Sequence, residues 1–76
     1  MIDAAQIKEW LQAGLPTAEI TLEGDGRHFE ATIICSDFAG KSRLQRHRMV
    51  YAALGSKMGH EVHALSMQTL APGEKP

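Results

Sequence analysis

Apolar positions recur along the chain first at helical spacing, then at alternate residues, then at helical spacing again, and alternate once more near the end. From about Ile2 to Ala13, Ile7, Trp10 and Leu11 fall on one face at a period near 3.6, which predicts an amphipathic helix. Asp3 stands where an N-cap is needed and Gln6 follows three residues later, the spacing of a capping box. Gly14 and then Pro16 end the helix. Trp10 reads as an anchor in the core. Between Ala18 and Glu23, Ala18, Ile20 and Leu22 alternate with Glu19, Thr21 and Glu23, which predicts a half-buried strand. Gly24-Asp25-Gly26 is a turn signal. His28 to Ser36 then alternates again, with Phe29, Ala31, Ile33 and Cys35 on one face and His28, Glu30, Thr32 and Ile34 on the other. The two strands are expected to pair as an antiparallel hairpin.

A turn at Phe38-Ala39-Gly40 precedes a second helical region running to about Met58, either as one helix or broken into a short turn and a longer helix. Ser42 and Gln45 repeat the capping-box spacing. Leu44, Tyr51, Leu54 and Met58 are expected to form its apolar stripe, with His47 on the same face, and Gly55 and Gly59 weaken its end. Val62 to Leu70 alternates as a third strand. Residues 71–76 are rich in breakers and are expected to fray. A helix between the second and third strands is a crossover, so those strands are expected to run parallel, with the usual right-handed connection. The expectation is an α+β fold in which a three-stranded mixed sheet, ordered first–second–third, carries its helices on one face.

Composition narrows the possibilities. Seventy-six residues, 43% hydrophobic and 22% charged, make a single domain over 1–76 and exclude a disordered or low-complexity chain. A chain this short buries about 60% of its unfolded surface, which leaves no room for a deep catalytic cleft beside a core. Four aromatic residues leave the core mainly to aliphatic side chains. One cysteine, Cys35, excludes a disulfide framework, points to a reducing, cytoplasmic setting, and falls on an apolar face where it reads as a small core side chain. Neither a signal peptide nor a membrane-crossing apolar run is seen, so no membrane partner is expected. No nucleophile has an evident triad partner, so catalysis by this chain alone is not expected.

Net charge is −1, which gives no overall pull toward nucleic acid. The local exception is Lys41-Ser42-Arg43-Leu44-Gln45-Arg46-His47-Arg48, with four cations and no acid. Lys41, Arg43, Arg46 and Arg48 are the candidate nucleic-acid contacts. Against them, Arg46 and Arg48 lie about 160° apart around a helix, no two glycines have the GxxG spacing that clamps a nucleic-acid backbone, and no aromatic ladder offers stacking. Any binding of DNA is therefore expected to be weak and electrostatic. Four histidines form the second candidate group. His47 reads as a packed side chain and His60 as a solvent-facing one. His28 and His63 each open a strand, and in the expected parallel pairing those ends lie together near Gly24–Arg27. They are either wet surface side chains or a pair of metal ligands, since imidazole suits both zinc and iron–sulfur iron. Two histidines cannot close a tetrahedral site, so a closed zinc domain is disfavoured and further ligands would come from a partner or a small thiol.

Three segments carry a resemblance to a known family. Phe38-Ala39-Gly40-Lys41-Ser42-Arg43-Leu44-Gln45-Arg46-His47-Arg48-Met49-Val50-Tyr51-Ala52-Ala53-Leu54 resembles the central signature of the BolA family. Val62-His63-Ala64-Leu65-Ser66-Met67-Gln68-Thr69-Leu70-Ala71-Pro72-Gly73-Glu74 resembles its third strand and the lead into its last helix. Gly24-Asp25-Gly26-Arg27-His28-Phe29 is similar to the hairpin turn of the short bacterial BolA-like (IbaG-type) subgroup. The resemblance implies the αββααβ topology of a class II KH-like domain. It implies partnership with a monothiol glutaredoxin around a shared, glutathione-linked [2Fe–2S] cluster, and, as an alternative, DNA-binding transcription control. In the cluster-sharing role it assigns one ligand to His63 and makes His28 the nearest candidate for the second. The chain departs from the family pattern in a hairpin loop cut to Gly24–Arg27 and in lacking the tryptophan that usually opens the last helix. Oligomeric state is expected to be a monomer or a weak homodimer.

Overall fold

The structure, a computed structural model, describes residues 3–58, 62 and 64–76. Helix α1 (Ala4–Gly14) starts where Asp3, in extended conformation, accepts a hydrogen bond from the Gln6 amide at 2.9 Å. The reciprocal half of the expected capping box is absent, because the Gln6 side chain turns outward to Glu9 at 3.5 Å. Ile7 and Leu11 are fully buried, and Trp10 packs on the core edge with the Lys57 ammonium 5.0 Å from its ring centre.

Strands β1 (Glu19–Gly24) and β2 (His28–Ile34) form the antiparallel hairpin in the register Glu19↔Ile34 to Gly24↔Phe29. Strand β3 (Ala64–Leu70) joins β2 in parallel, His28↔Ala64 to Ile34↔Leu70, giving the order β1-β2-β3. The alternation expected from the sequence is the alternation observed: Ile20, Phe29, Ala31, Ile33 and Cys35 turn toward the helices, and the opposite sheet face is left uncovered by any described element.

Between β2 and β3 lies helix α2 (Arg43–Leu54), flanked by single 3-10 turns at Ser36–Phe38 and Gly55–Lys57. Its capping box is complete: Gln45 N donates to Ser42 Oγ and Ser42 N to Gln45 Oε1. Where the αββααβ pattern has two helices between the second and third strands, this chain has α2 and the two single turns. Gly55, with φ 59° and ψ −134°, takes a backbone conformation that glycine enters without the clash a Cβ would bring.

The apolar stripe of α2 differs from expectation. Val50 and Leu54 are buried, Met49 and Ala53 pack beside them, and Leu44 and Tyr51 are exposed (59% and 40%). The reason is the approach of the two helices. A Cβ at Gly14 would lie 2.6 Å from Ala53 Cβ, so the backbones pass too closely for any side chain at residue 14. That contact turns the Ala53 side of α2 inward and rotates Leu44 and Tyr51 out.

The expected fraying of 71–76 does not hold as far as Glu74. Ala71 is 6% exposed, Glu74 N donates to Ala71 O, and the Glu74 carboxylate accepts from Ala71 N. No helix among the described residues is long and apolar enough to cross a membrane.

Candidate functional site

The parallel register gathers the starts of β2 and β3 at one end of the sheet. His28 is exposed and lies on the outward face with Glu30 and Thr32. Its place is fixed by the turn before it. Asp25 Oδ1 accepts from both Arg27 N and His28 N at 2.9 Å, Asp25 N donates to His28 O at 3.2 Å, and Gly26 takes φ 99°. This is an aspartate turn in which the side chain substitutes for a backbone acceptor. Those two amide donors hold the Asp25 carboxyl below its ordinary range, with the His28 charge a smaller contribution. Glu23, Gly24, Asp25, His28 and Glu30 line a shallow depression of about 260 Å³.

Opposite His28 in the register stands Ala64. The residue before it in sequence, His63, lies outside the described residues, as does His60. Among the described residues no three His, Cys, Asp or Glu side chains come together to hold a metal ion. His28 has the chemistry of an exposed imidazole donor to a site completed by other ligands, and the described residues do not make a closed site of their own. Cys35 is 1% exposed, with its sulfur 3.8 Å from Thr17 Oγ1, and is not available as a surface ligand.

The four candidate nucleic-acid contacts divide. Lys41, Arg43 and Arg48 are exposed. Arg46 is committed to the fold. Its Nε donates to Lys41 O at 2.9 Å, one terminal nitrogen to Thr69 O at 3.0 Å, and the fork grips Glu74 at 2.6 and 2.9 Å. Its guanidinium carbon lies 5.9 Å from the Phe38 ring centre, and its side chain is 11% exposed. Bonding to Arg46, reinforced by the Ala71 amide, lowers the Glu74 carboxyl from 4.5 to about 2, and the same pairing raises Arg46. Arg46 therefore ties α2, the end of β3 and the tail together and is no free contact for a phosphate backbone. The sequence reading missed this because Arg46 and Glu74 are 28 positions apart and only the β2–α2–β3 crossover brings them together. Charge is segregated along the chain: 41–57 carries five cations and no acid, while 18–34 carries Glu19, Glu23, Asp25 and Glu30 against Arg27 alone.

Comparison with known proteins agrees with this architecture. A family model described as BolA-like protein matches residues 10–74. The structure of a BolA protein homologue from Coxiella burnetii superposes with a TM-score of 0.88 at 46% identity, covering 95% of this chain and 94% of that one. BolA-like protein 1 of Homo sapiens is 45% identical over 51 residues, which is 67% of this chain but 37% of that protein, so the match spans little more than a third of the human relative. The DNA-binding transcriptional regulator BolA of Escherichia coli is 37% identical over 46 residues, 60% of this chain and 44% of that protein.

Proposed function

The chain belongs to the BolA family, and from that premise we propose that it is a non-enzymatic cytoplasmic partner of a monothiol glutaredoxin, sharing a glutathione-linked [2Fe–2S] cluster through His63 and His28. The observation that carries this reading is the parallel register that opens with His28 opposite Ala64, the residue following His63 in the chain. It supports a ligand pair drawn from the starts of two neighbouring strands. The incomplete donor set fits a cluster held between two proteins: this chain offers imidazoles, and the thiolates come from the glutaredoxin and glutathione. The cluster is cargo, and the part of this chain is to present neutral imidazole nitrogens at a fixed position. Asp25 acts as a positioning residue, since its two hydrogen bonds hold the backbone at His28 in place without touching the cluster.

The test is visible circular dichroism of cluster-loaded glutaredoxin mixed with the wild type and with His63→Ala, His28→Ala and His60→Ala. The expected result is a spectrum that reverts to the glutaredoxin-only form with His63→Ala, reverts partly with His28→Ala, and stays wild-type with His60→Ala. Thermal melts run alongside, and loss of exposed His28 is expected to cost no more than about 0.5 kcal/mol. A wild-type spectrum with His63→Ala overturns the ligand assignment. Unfolding of that variant would instead make His63 a core residue.

A second reading, weak electrostatic binding of DNA, is supported by the acid-free run 41–57 and by the name of the Escherichia coli relative. In it Lys41, Arg43 and Arg48 act without Arg46. Affinity should fall with rising salt along a shallow slope set by about three phosphate contacts. Tight sequence-selective binding at physiological salt would rank this reading first.

A further inference from the structure

At the far end of β3 from His28, a cleft of about 560 Å³ opens between the start of α2, the last residues of β3 and the tail. Its charged lining is Lys41, Arg43, Arg46, Lys75 and Glu74, with His47 beside them. The only acidic side chain in that lining, Glu74, is consumed by the Arg46 fork. Among the described residues that is the one ion pair, so Lys41, Arg43 and Lys75 line the cleft with no side-chain carboxylate partner. Three cations without a side-chain carboxylate partner therefore share one concavity in a chain whose net side-chain charge is −1.

Arg46 also changes the polarity of the wall. The carbonyls of Lys41 and Thr69 accept from its guanidinium, so two acceptors that would repel an anion are already occupied. The guanidinium is itself held by those carbonyls, by Glu74 and by the Phe38 ring, which gives the cleft a rigid floor. The cations around it stand on long exposed stems and can close on a ligand. The volume is within the ordinary range for a small-molecule site.

We propose that this cleft binds a small polyanion, a molecule carrying two or more phosphate or carboxylate groups, through Lys41, Arg43 and Lys75 over the fixed Arg46–Glu74 floor. One anionic group cannot neutralise three separated cations, and this is why the ligand must be multiply charged. The site is separate from the histidine end, and the proposal does not depend on cluster sharing.

The probes are inorganic pyrophosphate, citrate and inorganic phosphate, titrated into the ¹⁵N-labelled chain at low ionic strength and followed by amide shifts. Saturable shifts confined to 41–47 and 69–75 are expected for pyrophosphate or citrate, with inorganic phosphate weaker. Saturation by pyrophosphate alone names a phosphate ligand, and saturation by citrate alone names a polycarboxylate. Lys41→Gln and Arg43→Gln should each weaken binding about fivefold, the loss of one charge-assisted contact. Lys8→Gln makes the same charge change on exposed α1, away from the cleft, and should weaken it less than twofold. Shifts that never saturate overturn the proposal. Equal weakening by Lys8→Gln would reduce it to a net-charge effect. A single-stranded oligonucleotide that saturates the whole of 41–57 while neither small anion saturates would replace it with a nucleic-acid surface.

Discussion

Replacing Gly14 with alanine sets two effects of opposite sign against each other. Gly14 is the last residue of α1 and its φ is not positive, so the backbone there tolerates a side chain. Helix propensity alone favours alanine by up to about 1 kcal/mol, and by less than that at a helix end. Against this, the new Cβ would meet Ala53 Cβ at 2.6 Å and Ala53 Cα at 3.0 Å. Neither atom is the end of a flexible side chain, so relief requires α1 and α2 to move apart. Forcing a methyl into such a contact costs about 1–3 kcal/mol. The steric effect wins, and Gly14→Ala should destabilise by about 1–2 kcal/mol. For a domain of this size that lowers Tm by roughly 5–15 °C. The assay is thermal and urea unfolding of Gly14→Ala, Ala53→Gly and the pair. Ala53→Gly removes the obstructing methyl but costs about 1 kcal/mol in helix propensity. The double variant should therefore be more stable than the sum of the single changes requires, with a coupling of at least about 0.5 kcal/mol. A Tm that rises in Gly14→Ala, or a coupling of zero, would refute the argument that this contact sets the rotation of α2.

Two further outcomes follow from the same packing and from the tail. Leu44→Ala and Leu54→Ala delete the same atoms from one helix, yet the first should change stability by less than about 0.5 kcal/mol and the second should cost about 2–5 kcal/mol in denaturant unfolding, because only Leu54 is buried. The Glu74 carboxyl is lowered in the folded state from 4.5 to about 2, so its contribution is present above pH 4.5 and lost as pH falls toward 2. The Tm difference between wild type and Glu74→Gln should accordingly shrink through that window, and a difference that stays constant down to pH 2 would show that Arg46 and Glu74 are not paired in solution.

The strands were legible because alternation reports a half-buried sheet directly: Ile20, Phe29, Ala31, Ile33 and Cys35 all face the core as their spacing implies. The crossover was legible because a helical segment between two strands leaves little alternative to parallel pairing. The rotation of α2 was not. Its apolar residues lie on more than one side, and the choice between the Leu44–Tyr51 stripe and the Val50–Leu54 stripe is made by Gly14, a residue on another helix. The role of Arg46 was hidden for a related reason. A basic run reads as a solvated or ligand-facing surface, and nothing local marks the one arginine whose carboxylate partner arrives from the tail. Asp25 was read as part of a turn, but its grip on the His28 amide depends on side-chain geometry that the Gly-Asp-Gly signal does not specify.

The parallel pairing of β2 with β3 also sets the order in which the sheet assembles. The hairpin closes between Gly24 and Phe29, five positions apart, whereas the first pair of the parallel ladder joins His28 to Ala64, thirty-six positions apart. Loop-closure entropy makes the second event costlier by about 1.7 kcal/mol before any contact offsets it. β3 is an edge strand bonded to one neighbour, so that penalty is recovered from a single ladder together with the docking of α2. A ligand that bridged the starts of β2 and β3 would therefore act as a staple across a closure that the hairpin alone does not make.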